Sequence, residues 1–404
     1  MALLRFFGAA VAAVLSFGVG GSALAPPGTA SRPVLFPDEA ARFTPADYLA
    51  WSGPYAAPVR DPWHPGPVRV FGVHPAAVVG TPGHTSVQAA VNAVYAAGGT
   101  ARRYIALLPG TYTGTVFVPA GGPPLTLYGL GRPQDVRIEF TVDATSTPAA
   151  WAALVNPSGQ YAPGDPAWPM FESCATKTSA TVGLCATVVW SQSPGFQLRG
   201  LTIVNTLLDT VDRGTHQALA LRTDADRTQL ESVRLIGRQD TFDANAGDLT
   251  RIARVLVRDS YVEGDTDFVF GRAAAVFERT EFHLVSTRKP SGGVIFAPDT
   301  APDFRYGYLV THCLLTADAG YVAAPTGRFG RAWDMGAGAT GYLPGVSPNG
   351  QLVIRDSRLG AGFDPVAPWA PAATTNRPFQ ARTDLGRDLD DVTVNRLWEY
   401  RLYS

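Results

Sequence analysis

The 404-residue chain carries little charge of either sign. Charged residues make up 17% of it, the formal net charge is −1, and among its 33 basic residues only Lys177 and Lys289 are lysines. Without a basic patch or stripe, nucleic acid is not an expected partner. No G-x-S-x-G elbow is present and the six histidines are scattered, so a serine hydrolase is disfavoured. A long apolar run is also missing. Residues 6–19 are apolar and small, which is short for a membrane span. They follow Arg5 and precede Ala23-Leu24-Ala25, which reads as a secretory signal with cleavage before Pro26. No cysteine lies near that point, so no lipid or membrane anchor is expected. The chain is expected to work in the periplasm or outside the cell.

Cysteine is scarce: Cys174, Cys185 and Cys313. Export permits a disulfide, and Cys174 with Cys185 is the local pair. The competing reading is three free buried thiols. Cys313 sits in an apolar run and reads as a small core residue.

Residues 26–65 are rich in proline, alanine and aromatics and lack periodicity, so an irregular N-terminal arm is expected there. Val87, Ala90, Val91 and Val94 fall at helical spacing, with Thr85 or Ser86 as cap and Gly98-Gly99 as stop. A strand over residues 104–108, a turn at Pro109-Gly110-Thr111-Tyr112 and a strand over 115–118 follow. From about residue 190 a repeat emerges. Leu198-Arg-Gly-Leu201-Thr-Ile203 recurs at Leu230–Leu235, Val257–Val262, Phe277–Phe282, Val310–Leu315 and Ile354–Leu359, in steps of 32, 27, 20, 33 and 44 residues. Irregular periods of this size suit an all-β, single-stranded parallel β-helix with variable loops over residues 66–404. A doubly wound fold would need amphipathic helices between the strands.

The repeat makes a geometric claim about chemistry. Asp240 follows Leu235 by five residues, and Asp267 follows Val262 by five. Equivalent positions on neighbouring parallel strands lie about 4.8 Å apart. Two such carboxylates cannot both ionise cheaply, so one is held protonated beside an ionised nucleophile. That pairing suits acyl transfer. It also suits calcium, or two solvated turn acids. Gln217 and Gln239 are candidate donors to an oxyanion. Arg331 is a candidate partner for one aspartate. Trp333, Phe242, Phe268, Phe270 and Tyr308 are candidates for an aromatic wall against sugar rings. His216, without a recognised partner, reads as structural.

These residues resemble the pectin methylesterase family, including its bacterial branch with outer-membrane lipoprotein members. Gly110-Thr111-Tyr112, Gln217-Ala218-Leu219-Ala220-Leu221, Gly237-Arg238-Gln239-Asp240-Thr241-Phe242, Gly264-Asp265-Thr266-Asp267-Phe268-Val269-Phe270-Gly271 and Gly330-Arg331-Ala332-Trp333 resemble its five motifs in order. Trp398-Glu399-Tyr400 resembles its C-terminal end. The resemblance implies a right-handed parallel β-helix that hydrolyses galacturonate methyl esters of pectin as a monomer, without metal or cofactor. It implies Asp267 as nucleophile, Asp240 as acid/base, Gln217 and Gln239 as oxyanion donors, Arg331 as the group orienting Asp267, and Trp333 and Arg288 as substrate contacts. Two departures stand out. Gly114 replaces an acid, with an expected effect on local bracing. Ala332 replaces proline, which is expected to loosen the turn presenting Arg331 and Trp333. Members of the branch that resemble acyl-CoA thioesterases lack the catalytic acids. This chain keeps both, which favours an esterase over a thioesterase or a non-catalytic polysaccharide-binding protein.

Overall fold

The computed structural model describes residues 25–404. The expected leader, apart from Ala25, lies outside the described residues. The chain winds as a parallel β-helix with a seventeen-stranded and a seven-stranded parallel sheet. The larger sheet contains two columns of strands; each repeat supplies one short strand to each column, except the last, whose single strand Gln351–Leu359 spans both. Leu198, Leu230, Val257, Phe277, Val310 and Ile354 pair successively in the first column. Ile203, Leu235, Val262, Phe282, Leu315 and Leu359 pair successively in the second. Every one of these residues except Leu359 is buried, so the apolar positions stack into a continuous axial core.

The third residue of each repeat turns the chain from the first column to the second. Gly200, Ser232, Asp259, Arg279, His312 and Asp356 all have positive φ there. Five of the six are not glycine, although a left-handed L-residue costs about 1–2 kcal/mol. Burial of the flanking apolar residues on both strands outweighs that local cost.

The helix is Val87–Ala96, capped by the Ser86 hydroxyl, which accepts from the Ala89 N–H. One expectation is corrected. Gly110–Thr113 is a strand, paired with Val136–Phe140, and not a turn. Ladder bonds to the next coil override the turn chemistry of Pro-Gly. Gly114 just beyond has φ +129°, a conformation that L side chains rarely adopt, so its glycine answers to the backbone. The expected arm contains two one-turn helices, Pro37–Ala40 and Pro45–Tyr48. Leu35, Phe43, Tyr48 and Leu49 pack onto Leu256, Val276, Leu309 and Val353. These four alternate with the core residues of the first column and therefore form its outer face. Cys174 and Cys185 form a disulfide, and Cys313 is free and buried. Among the described residues, no helix is long and apolar enough to cross a membrane.

Candidate active site

The site lies where the second column gives way to the seven-stranded sheet. Gln217, Gln239 and Thr266 bridge in parallel across three coils. The Asp240 N–H donates to the Thr266 carbonyl (3.0 Å), and Phe242 pairs with Val269. Asp240 and Asp267 are therefore matched positions on adjacent coils, as the repeat predicts. Both are left-handed, with φ of 65° and 45°. This conformation is strained for most residues and is tolerated by Asp and Asn. Gly264 makes the approach possible, because a Cβ there would sit 2.5 Å from the Arg238 carbonyl oxygen and 2.2 Å from the Phe268 Cβ.

The two acids have opposite surroundings. Asp240 is 4% exposed and accepts a hydrogen bond from the Gln217 amide at 2.7 Å. Burial, then the neighbouring Asp267 charge, push its carboxyl well above the usual carboxylate range, with Gln217 opposing. Asp267 instead receives both arms of Arg331, Nε to Oδ1 at 2.8 Å and a terminal nitrogen to Oδ2 at 2.5 Å. A bidentate guanidinium pairs with both oxygens of the carboxylate and fixes its orientation. One carboxyl is thus arranged to keep a proton, and the other is held by a guanidinium.

The Gln239 carbonyl oxygen accepts from the His216 N–H at 3.0 Å, which leaves its NH2 as the group it can present. His216 has two acidic partners that sequence reasoning missed: Nδ1 meets Asp143 at 2.7 Å and Nε2 meets Asp212 at 3.1 Å. Asp143 is 73 residues away in sequence, so no local signal could have revealed it. Arg288 is buried and donates to the Asp212 and Gly214 carbonyls, pinning the same loop. It also helps line a cavity of ≈ 260 Å³ that includes Gln239 and Arg331.

The aromatic wall needs correction. Phe242, Phe268 and Tyr308 are fully buried, and the Tyr308 hydroxyl donates to the Gly271 carbonyl, so none can meet a sugar ring. Strand alternation explains this for Phe242, which points into the axial core while Phe270 on the next coil faces outward. Only Trp333 of the five remains half-buried; Phe270, 3% exposed, lies under it in edge contact at 5.5 Å. The expected loosening at Ala332 is also corrected. Arg331 and Trp333 donate their N–H groups to the Phe296 and Pro298 carbonyls, and Ala373 donates to the Ala332 carbonyl, so the segment is clamped on both sides.

Asp243, on the outer face beside Phe270, is a buried acid that the sequence did not single out. It is 0% exposed and neither carboxyl oxygen has a hydrogen-bond partner. Burial pushes its pKa well up; Arg222, 3.6 Å away and also paired with Asp224, opposes this, while Asp224 and Asp299 add to it. A carboxyl held protonated when folded but ionised when unfolded favours folding at low pH. That contribution is complete below the unfolded pKa near 3.9 and is lost as pH rises through the folded value. Asp243→Asn should therefore gain stability relative to the parent as pH rises from about 4 towards neutrality. Thermal melts across that range check it, and a constant difference would mean that Arg222 keeps Asp243 ionised.

A pectinesterase family model matches residues 172–335, a span containing Asp240, Asp267 and Arg331. The chain is 54% identical over 389 residues to Pectinesterase B of Dickeya dadantii, covering 93% of this chain and 90% of that protein. Among solved structures, the rice weevil pectin methyl esterase aligns with a TM-score of 0.84 at 38% identity, over 94% of this chain and 98% of that one. YbhC of Escherichia coli, provisionally named an acyl-CoA thioester hydrolase, aligns with a TM-score of 0.87 at 41% identity, over 96% and 98%.

Proposed function

The chain belongs to the pectinesterase family, and we propose that it hydrolyses galacturonate methyl esters of pectin through an acyl-enzyme on Asp267. The observation that carries this reading is the matched pair of acids with opposite surroundings. Asp267, held by Arg331, attacks the ester carbonyl carbon. The carbonyl oxygen takes up negative charge and is met by the Gln239 NH2 and by the second N–H of Gln217, whose first N–H stays on Asp240. As the tetrahedral centre collapses, the C–O bond to methoxide breaks and Asp240 gives up its proton, releasing methanol. Asp240, now ionised, takes a proton from water. The resulting hydroxide attacks the acyl carbon and expels Asp267 as carboxylate, restoring both acids. Trp333, supported from below by Phe270, flanks the sugar.

The Cys174–Cys185 bridge supports export to an oxidising compartment, in keeping with a signal over residues 1–25 and action on an extracellular polymer as a monomer. The similarity to YbhC supplies a second substrate to test. Methanol release from highly methylated pectin and hydrolysis of a long-chain acyl-CoA are measured on one preparation. The expected result is a kcat/KM for pectin at least about 10³-fold higher. Preference for acyl-CoA would overturn the reading.

A further inference from the structure

The outer face of the first strand column changes character along its length. At Leu256, Val276, Leu309 and Val353 it is apolar and covered by the N-terminal arm. One coil earlier the register positions become polar. Tyr104, Thr126, Gln197 and Gln229 pair in sequence and form a row three rungs long, about 14 Å at strand spacing. The chain at residues 63–69 leaves the arm here and borders a groove of ≈ 760 Å³ over this row. The groove lies at the turn that leads from the seven-stranded sheet into the first column. The catalytic acids lie at a different corner, where the second column ends.

Hydrogen bonds run along the row. Arg102 donates to the Thr126 hydroxyl (3.1 Å), Thr126 to Gln197 (2.8 Å), Gln197 to Gln229 (3.1 Å) and Gln229 to the Gly66 carbonyl (2.7 Å). The other Arg102 contact, to the Gly195 carbonyl, is also to an uncharged acceptor. Among the described residues, no carboxylate lies within 4.0 Å of the Arg69 or Arg102 guanidinium. Asp226, the acid in this groove, receives the buried Arg254 through both arms of its guanidinium. Arg69 is exposed, and the half-buried Arg102 guanidinium without an anion is costly unless an external anion or water completes it. Trp63 and Tyr104, both half-buried, supply aromatic surface beside these cations.

Paired aromatic surface and unmatched guanidinium groups recognise a pyranose that carries a carboxylate. We propose that this groove is a second, non-catalytic binding site for unesterified galacturonate stretches, which tethers the enzyme to the polymer it demethylates. The choice of ligand rests on the function proposed above. The consequence of a second contact on the same polymer is avidity, which acts on KM for long chains and leaves turnover at the catalytic pair alone.

The test uses the full chain and unesterified polygalacturonate, which offers no ester to hydrolyse. Affinity electrophoresis or calorimetry compares the parent with Arg69→Ala/Arg102→Gln. Polygalacturonate affinity is expected to fall about tenfold or more. The KM for polymeric pectin should rise with kcat unchanged, and methanol release from a methylated trigalacturonate, too short to reach both sites, should stay as in the parent. A double variant that melts like the parent and binds polygalacturonate equally well would overturn the proposal. So would parent binding to dextran sulfate as tight as to polygalacturonate, since that is a bare charge effect. Arg102 is part of the hydrogen-bonded row, so Arg69→Ala alone, at an exposed position, keeps the test decisive if the double variant does not fold. A parent that binds polygalacturonate through this groove yet releases no methanol would reject the esterase reading and leave the binding site standing.

Discussion

Asp267→Asn is expected to lower methanol release from methylated pectin by at least about 10⁴-fold, equivalent to about 5.5 kcal/mol of barrier. The amide keeps the size of the side chain and tolerates the left-handed backbone at φ 45°, but it cannot form the acyl-enzyme. Arg331 loses its charged partner here too, but the amide oxygen still accepts one of its arms, so the thermal midpoint should fall less than in Asp267→Ala. Asp267→Ala should lose the same activity and in addition be less stable. Alanine at positive φ costs about 1 kcal/mol, and Arg331 loses the carboxylate that receives both its arms. The pair of variants thus separates chemistry from folding. Turnover within tenfold of the parent in a folded Asp267→Asn protein would rule out this residue as the nucleophile.

Asp240→Asn is expected to lower kcat by about 10²–10⁴-fold with KM little changed, because it removes a proton donor that acts on the leaving group. The Gln217 amide can still donate to the asparagine carbonyl, so local geometry should survive. The pH profile carries the sharper signature. Asp240 must hold its proton to release methanol, and burial beside Asp267 raises the pH at which that proton is lost. Activity of the parent should therefore fall on the alkaline side as Asp240 ionises, and this limb should vanish in Asp240→Asn. Stability should move the opposite way. The raised pKa favours the folded parent below the unfolded pKa near 3.9, and this contribution is lost as pH rises through the folded value. The asparagine variant should then be the more stable protein at neutral pH, a trade of stability for catalysis. An unaltered alkaline limb in the variant would assign that ionisation to another group.

Much of the architecture was legible because it is written in period. Stacking identical coils requires apolar residues at matched offsets, and each predicted repeat pairs with the next in the predicted register. The same arithmetic placed Asp240 beside Asp267, since a register that holds for Leu235 and Val262 carries through the next five residues. What failed among the aromatics was side-chain direction. Phe242 and Phe268 lie just beyond the corner, where the left-handed aspartates reset the alternation, and Tyr308 alternates into the core of the first column, so none of them shares the outward direction of Trp333. Gly110–Thr113 failed because a ladder to a strand about 25 residues away outweighs a local turn preference.

The sequence by itself determined the coil, its register and the meeting of two acids, because period and spacing are local properties that a parallel stack converts directly into neighbours. Only the tertiary structure decided which acid is buried and which is clamped by Arg331, how Asp143 and Asp212 brace His216 and through it Gln239, and where the arm stops covering the first column. Those properties depend on desolvation and on contacts between segments tens to hundreds of residues apart, and no local pattern encodes them.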